Sequence, residues 1–198
     1  MKSIVYTKAY KAPDIDTKEV LRYAGVREID EETLALLDRC IKESADALGY
    51  NVCYSRYPVS VDGDLVDLGF TRTFSHSLAT CLKECDEIIL FCATVGVGID
   101  RLIKRYSLTS PSVAIMLQAL GSERVEALCD AFCDDMAEKT GRLLRPRFSP
   151  GYGDLALELQ KEIFACLVPS KIGVSLSENL FMTPSKSVTA IIGIKREI

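Results

Sequence analysis

Ile88-Ile89-Leu90-Phe91-Cys92-Ala93 is the longest apolar run of the chain and the stretch that decides its fold. An unbroken apolar run of this kind is typical of a strand that is buried on both faces of a sheet. It is far shorter than the roughly 20 residues that a membrane-spanning helix needs. The run therefore predicts a central strand covered by packed layers on both sides, and no membrane partner.

Segments with helical periodicity lie on both sides of this strand. Asp16 begins a capping-box-like helix that ends near Gly25, so residues 1–25 are predicted to form an extended lead-in and a short helix. Ser110-Pro111 has the N-cap and first-turn proline expected at the start of the longest helix. Further helices are predicted over residues 30–49, 77–85 and 99–103, and after an N-cap at Asp154.

Extended segments complete the pattern. Val52 to Val61 resembles a strand, Asp62-Gly63 is a hairpin-turn signal, and Leu65 to Leu68 is the expected partner. Val188 to Ile194 is predicted to be the final strand. No repeat, low-complexity tract or linker divides the chain, so residues 1–198 are predicted to form one α+β domain.

The composition disfavours several classes of protein. Hydrophobic residues make up 48% and charged residues 26% of the chain, which favours a substantial core over disorder. The formal net charge of −4 disfavours nucleic acid and anionic membranes as partners, because an acidic surface does not attract them. Met1 to Tyr6 lacks the apolar segment of a signal peptide, so a cytoplasmic location is predicted.

Eight cysteines and one histidine are the candidate metal ligands. Cys81 and Cys85 are four residues apart, as are Cys129 and Cys133, but no two cysteines form a C-x-x-C pair. Two thiolates at this spacing need further ligands, and His76 is the only histidine. Free thiols on apolar helix faces are therefore favoured over a metal site.

Gly96-Val97-Gly98 stands between the buried strand and a helix, where main-chain amides can cradle a phosphate. Arg101 occupies the position of the third glycine in the dinucleotide-binding fingerprint, so a tight strand-to-helix turn is favoured over a phosphate site. His76 has no Ser/His/Asp arrangement around it, which predicts a helix-start residue and not a hydrolase triad.

The irregular segment over residues 142–154 is a candidate ligand loop. Its two prolines restrict the main chain, and its glycines allow a ligand to approach closely. Arg147 can bind a carboxylate with both arms of its guanidinium group, and Tyr152 offers a ring face and a hydroxyl. These residue types suit a zwitterionic small molecule with an aromatic group. Without further evidence, however, an ordered surface loop is the favoured interpretation of the segment.

Arg147-Phe148-Ser149-Pro150-Gly151-Tyr152 matches the R-x-x-x-G-Y signature of the activation domain of cobalamin-dependent methionine synthase. The second half of the chain resembles that family more broadly, and the first half more loosely. The other similar segments are Ala93–Gly96, Ala119–Glu126, Ile172–Asn179 and Met182–Val188. The resemblance implies a single α+β domain with a central, mostly antiparallel sheet and surrounding helices, and it implies that the chain binds S-adenosylmethionine.

The resemblance also assigns roles to residues of the loop. Arg147 would bind the carboxylate of the methionine moiety, while Ser149 and Gly151 would offer main-chain contacts. Tyr152 would help to form a wall of the site. No general acid or base is implied, because the role of the domain is to position the methyl donor.

Acidic residues complete the implied site. Glu126 would bind the amino group or a ribose hydroxyl, although an ordinary exposed helix glutamate is an equal alternative. An N-terminal aspartate also contacts the ligand in this family, and both Asp16 and Asp14 fit that position. The segment around Glu178 is expected to form the pocket floor. The family's domain continues past the final strand through a tyrosine pair that this sequence lacks, so a short form is expected.

In this family the domain supports reductive remethylation of oxidised cobalamin, with S-adenosylmethionine as methyl donor and flavodoxin or a similar protein as electron donor. The sequence shows neither a cobalamin-loop histidine motif nor a cysteine-rich zinc site. The resemblance therefore implies a free-standing accessory module that acts on cobalamin carried by a separate methionine synthase or corrinoid subunit. Arg142, Arg145 and Arg147 are candidates for the docking face.

Two other functions fit parts of the sequence. A module that senses S-adenosylmethionine, or that reactivates another corrinoid protein, would use the same site without a role in methionine biosynthesis. A nucleotide-phosphate enzyme would instead use Gly96 and Gly98.

Overall fold

A four-stranded antiparallel sheet is the centre of the computed structural model, which describes residues 3–197. Across the sheet the strands are β1 (Tyr6–Tyr10), β2 (Tyr50–Pro58), β6 (Cys85–Thr94) and β9 (Ser187–Lys195). β6 carries the long apolar run and pairs with β2 on one side and with β9 on the other. The predicted central strand and the mostly antiparallel sheet are therefore confirmed.

Side chains of β6 alternate between two apolar layers. Ile89 and Phe91 belong to the layer on one face of the sheet, whereas Ile88 and Leu90 belong to the layer on the opposite face. All four are completely buried. A strand that has apolar partners on both faces has no position where a polar side chain is stable, which explains the unbroken run.

Four helices cover the first face of the sheet. Their bounds are Thr17–Tyr23 for α1, Glu31–Ser44 for α2, Gly98–Tyr106 for α4 and Pro111–Thr140 for α5. α5 has 30 residues and is therefore about 45 Å long, at about 1.5 Å of rise per residue. It contributes more buried side chains than any other helix, so it forms the spine of this layer.

The second face is covered by shorter elements. These are α3 (His76–Cys81), α6 (Gln160–Leu167), a sheet of β3 (Ser60–Asp62), β4 (Leu65–Asp67) and β5 (Arg72–Phe74), and a hairpin of β7 (Ser175–Leu176) and β8 (Met182–Thr183). The described residues form one α+β domain with six α-helices. Within residues 3–197, none of the helices is both long and apolar enough to cross a bilayer.

Asp16 and Asp30 cap the starts of their helices as predicted. Ser110 precedes α5 without a side-chain cap, and α2 ends at Ser44, before the predicted stop at Gly49. The Asp16 carboxylate accepts hydrogen bonds from the Lys18 and Glu19 amides at the start of α1. Asp30 accepts one from Thr33 at the start of α2. Such bonds satisfy amides that have no partner inside the helix.

Two other predicted element boundaries are also wrong. The strand predicted from Val52 to Val61 ends at Pro58, which has no N–H for the ladder, and the hairpin of β3 and β4 belongs to a separate sheet. The helix predicted over residues 77–85 ends at Cys81. Glu84 takes a φ of +67°, a left-handed conformation that a continuing helix does not allow, and β6 begins at Cys85.

Asp154 caps a helix other than the one predicted. Its carboxylate accepts hydrogen bonds from the Ser75 hydroxyl at 2.6 Å, from the His76 amide at 2.8 Å and from the Ser77 amide at 3.2 Å. These groups begin α3, whereas α6 follows a short 3-10 turn with no side-chain cap. Asp154 therefore ties the end of the candidate ligand loop to α3.

The segment after α5 lacks sequence periodicity but follows the edge of the central sheet. Arg145 donates its amide to Gly193, and Phe148 and Ile191 exchange two main-chain hydrogen bonds of 2.9 Å each. Further along, Leu143 accepts a bond from Lys195. Residues 143–148 thus lie along β9 as an irregular edge segment, which fixes the first half of the loop in the fold.

We expect Asp154→Asn to destabilise the protein in a pH-dependent way. The Ser75 hydroxyl, followed by the His76 and Ser77 amides, holds the pKa of the Asp154 carboxyl well below its ordinary value. A depressed pKa contributes stability above the unfolded-state pKa of about 4, and this contribution is lost as the pH falls further. Urea denaturation should therefore show a larger difference between wild type and variant at pH 6 than at pH 3.

Asp62→Asn, at the exposed end of β3, is the matched control and should leave the free energy of unfolding unchanged at both pH values. An equal wild-type-to-Asp154→Asn difference at pH 6 and pH 3 would show that the carboxylate charge does not stabilise α3.

Candidate functional site

A cleft of about 510 Å³ lies between the lead-in and α5. Residues 13–16 and α1 form one wall, and the face of α5 between Glu123 and Asp134 forms the other. This volume falls within the roughly 300–1,000 Å³ usual for small-molecule sites. Tyr23, at the end of α1, is the aromatic side chain of the lining.

Negative charge dominates the cleft. Seven carboxylates line it, and its lining within the described part of the chain includes no lysine or arginine. The acidic residues are Asp14, Asp16, Glu19, Glu123, Glu126, Asp130 and Asp134. Because like charges gathered at a cleft raise the local concentration of cations, this lining favours a ligand that carries positive charge.

Arg147 is outside the lining of this cleft within the described chain, but it contacts two of the lining carboxylates, and the sheet determines the direction of its side chain. Phe148 is buried in the layer on the second face. Because neighbouring side chains of an extended segment point to opposite faces, Arg147 points to the first face, where α5 lies. One Nη atom lies 3.0 Å from a carboxylate oxygen of Glu126 and 3.0 Å from one of Asp130.

The guanidinium group of Arg147 is well shielded, since its side chain is 24% exposed. Burial alone would lower its pKa, but Cys129, Asp130 and Glu126 raise the pKa above the ordinary value. Arg147 therefore remains charged, and it is balanced by carboxylates within the fold.

Glu126 and Arg147 thus contact each other, although the resemblance assigned them to different groups of a ligand. Asp130 shares Arg147 with Glu126 and was missed in the sequence. Its spacing of four residues from Glu126 places both carboxylates on one face of a helix, and that spacing was the available signal. Of the N-terminal candidates, Asp14 and Asp16 both line the cleft, and Asp16 also caps α1.

The other predicted loop residues lie apart from the cleft. Among residues 3–197, Ser149, Gly151 and Tyr152 are not part of its lining. The Gly151 amide already donates to Leu155, so this amide is engaged within the loop. Tyr152 is 70% exposed and packs edge-on against Phe148, with ring centroids 5.4 Å apart.

The segment expected to form the pocket floor is also elsewhere. Glu178 is exposed in the turn between β7 and β8, and it does not line the cleft within the described chain. The turn is closed by Phe181 and Ser177, whose main-chain groups bond to each other.

The arginines proposed for docking are engaged within the fold. Arg142 binds Asp86 and the main-chain oxygen of Lys195, and its side chain is mostly buried. Arg145 donates to the main-chain oxygen of Lys83. Since both guanidinium groups already hold internal partners, the structure gives no support to them as free docking charges.

The remaining candidates have structural explanations. His76 is the first residue of α3 and pairs with Asp64, which raises the pKa of the imidazole mainly through a hydrogen bond of 2.9 Å. The eight cysteines are free thiols, five of them buried and three partly buried. Burial raises the pKa of Cys40 and Cys133 to about 11, so these thiols are poor nucleophiles.

Gly98 is required by packing at the end of β6. A Cβ atom on this residue would overlap the carbonyl oxygen of Ala47. The oxygen therefore occupies space beside the turn that a bound phosphate would need, and it would repel an anion. The tight strand-to-helix turn is the better explanation of Gly96-Val97-Gly98.

We expect Gly98→Ala to lower the free energy of unfolding by about 2–4 kcal/mol, because the methyl group overlaps rigid main-chain atoms. Gly49→Ala is the matched control, since its Cβ would meet only the Asn51 side chain, at an ordinary 3.6 Å. The control should cost less than about 1 kcal/mol in the same urea titration. Equal stability of the two variants would leave the glycine without a packing role.

No protein-family model and no curated protein matches the chain. Among solved structures, the chain is similar to the MetH reactivation domain bound to AdoHcy, with a TM-score of 0.71 and 14% sequence identity. The likeness covers 97% of this chain and 78% of that one. At this identity it establishes the fold, and it confirms the fold that the sequence motifs predicted.

Proposed function

We propose that this chain binds S-adenosylmethionine in the acidic cleft and supports reductive remethylation of cobalamin on a separate methionine synthase or corrinoid subunit. The observation that carries the proposal is the pairing of Arg147 with Glu126 and Asp130, two carboxylates that line the cleft. The fold is shared with a domain whose structure contains AdoHcy, the demethylated form of the same ligand.

The charges of the cleft suit this ligand. S-adenosylmethionine carries one carboxylate, an ammonium group and a sulfonium group. Arg147 offers planar donors for the carboxylate, and the carboxylates of α5 and the lead-in offer partners for the two positive groups. Tyr23 offers a ring face on which an adenine base can stack.

Binding would proceed by an exchange of ion pairs. The ligand carboxylate takes the place of Glu126 or Asp130 on Arg147, and the released carboxylate then accepts the ligand ammonium group. Every charge in the partly buried site keeps a partner, which avoids the cost of an unpaired buried charge. The salt bridge is therefore a resting arrangement that a zwitterion can replace.

The contribution of the chain to the reaction is positional. When bound, S-adenosylmethionine supplies an electrophilic methyl group on its sulfonium. The carboxylates of the cleft hold the ammonium and sulfonium groups of the ligand, and Arg147 holds its carboxylate, so the chain fixes the direction in which the methyl group is presented. In this role no side chain moves a proton.

The partners complete the proposal. Cobalamin would be carried by another protein in the cytoplasm, and flavodoxin or another donor would supply the electron. Support comes from the motifs of residues 147–152 and 172–188, together with the shared fold.

Arg147→Ala should weaken S-adenosylmethionine binding by about tenfold or more, because the ligand carboxylate loses its charged partner. Isothermal calorimetry against S-adenosylmethionine, S-adenosylhomocysteine and NAD measures this and tests the rival nucleotide site. Arg142→Ala, which removes an equally paired arginine away from the cleft, should leave the affinity unchanged. Unaltered binding by Arg147→Ala would refute the site.

Asp130→Asn should reduce the preference for S-adenosylmethionine over S-adenosylhomocysteine by about threefold, as expected for one partly exposed charge. The two ligands differ by a methyl group and one positive charge, so their affinity ratio reports the field at the sulfonium. Asp38→Asn, on α2 and outside the cleft, is the control. A ratio that stays constant in Asp130→Asn would contradict the proposed role of this charge.

Function beyond binding requires the partner. Purified cobalamin subunit, a reductant and methyl-labelled S-adenosylmethionine should yield labelled methylcobalamin only when this chain is added. Ligand binding without methylcobalamin formation would favour a sensing module.

A further inference from the structure

A buried ion pair attaches the lead-in to α5. Arg124 is 1% exposed, and its Nε and Nη2 atoms bind the Glu123 carboxylate at 2.5 and 2.6 Å. The same guanidinium group donates to the main-chain oxygens of Pro13 and Asp14, each at 2.6 Å. Glu123 in turn accepts a hydrogen bond of 3.0 Å from the Asp16 amide. One ion pair on α5 therefore holds three main-chain groups of the cleft wall.

Apart from this ion pair, Ile15 anchors the lead-in by packing against the core layer of the first face. Residues 11–16 belong to neither a helix nor a strand. Outside the strand ladders of residues 3–197, the hydrogen bonds of Lys11 to Ile15 are the two that Arg124 donates. α1 has its own anchor, since Val20 and Leu21 are buried in the core. The ion pair thus controls where the wall lies more than whether α1 forms.

An ion pair in this place is better suited to fixing the position of the lead-in than to raising the stability of the fold. Removing two charges from water is costly, and apolar replacements of a buried pair are often equally stable or more so. The planar guanidinium group, however, fixes its acceptors in direction as well as distance. The guanidinium group of Arg124 binds two carbonyl oxygens and one carboxylate. Together these contacts fix the location of the lead-in against α5.

We propose that Glu123 and Arg124 are positioning residues that hold Pro13–Asp16 as the fixed wall of the cleft and thereby set the affinity of the ligand site. The inference rests on the proposed function for the identity of that ligand. Arg124 acts through the lead-in, because its donors are occupied by Glu123, Pro13 and Asp14.

The test uses the full chain with Glu123→Leu/Arg124→Met, which removes both charges together and leaves neither unpaired. Arg124→Lys keeps the charge but loses the planar fork, and Arg142→Met is the control arginine outside the cleft. Two quantities are measured: amide hydrogen exchange of Asp16, whose N–H donates to Glu123, without ligand, and the dissociation constant of S-adenosylmethionine. Thermal unfolding reports global stability.

The double variant should exchange its Asp16 amide faster and bind S-adenosylmethionine about tenfold more weakly, while its unfolding midpoint stays near that of the wild type. Arg124→Lys should have an intermediate exchange rate and an intermediate dissociation constant. If the double variant does not fold, Arg124→Lys alone tests the positioning role. Arg142→Met should match the wild type in both.

Wild-type exchange rates in the variants, or faster exchange with an unchanged dissociation constant, would overturn the positioning role. A wild-type protein that binds no S-adenosylmethionine would instead refute the proposed function. In that case the exchange rates alone still decide whether the pair holds the lead-in.

Discussion

The burial of β6 on both faces is the constraint on which the rest of the structure depends. A strand with apolar side chains in both directions must be covered twice, and the chain does so with α5 and its neighbouring helices on one face and shorter elements on the other. The segment that follows α5 then lies along β9. The candidate site occupies the place where that segment and the lead-in both meet α5.

The features that the sequence predicts well are those that depend on neighbouring residues. Asp16 and Asp30 act on amides two or three residues away, so a capping pattern is sufficient to find them. The apolar run of β6 can likewise be recognised without knowing which strands pair with it. Asp154 has the same chemistry, but its carboxylate binds Ser75, His76 and Ser77, which are almost eighty positions earlier in the chain. No local pattern distinguishes these two kinds of cap.

The site is predictable only in part for the same reason. Motif similarity identifies Arg147, Glu126 and Asp16; in the structure Glu126 and Asp16 line one cleft, and Arg147 contacts Glu126. The charge-balancing Asp130 is visible only when the arginine and the helix are brought together. The Arg124 contacts to the lead-in join residues more than a hundred positions apart, and in the sequence Arg124 is one arginine among several. Such contacts arise from the topology of the sheet.

Arg147 stands in a segment without sequence periodicity, yet its neighbour Phe148 is hydrogen-bonded to β9 in both directions. Its main chain is therefore as restricted as that of a strand residue, and two carboxylates hold its side chain. Much of the conformational entropy that an arginine ordinarily loses on meeting a ligand has been lost already during folding. A site of this kind gains affinity from order that exists before the ligand arrives.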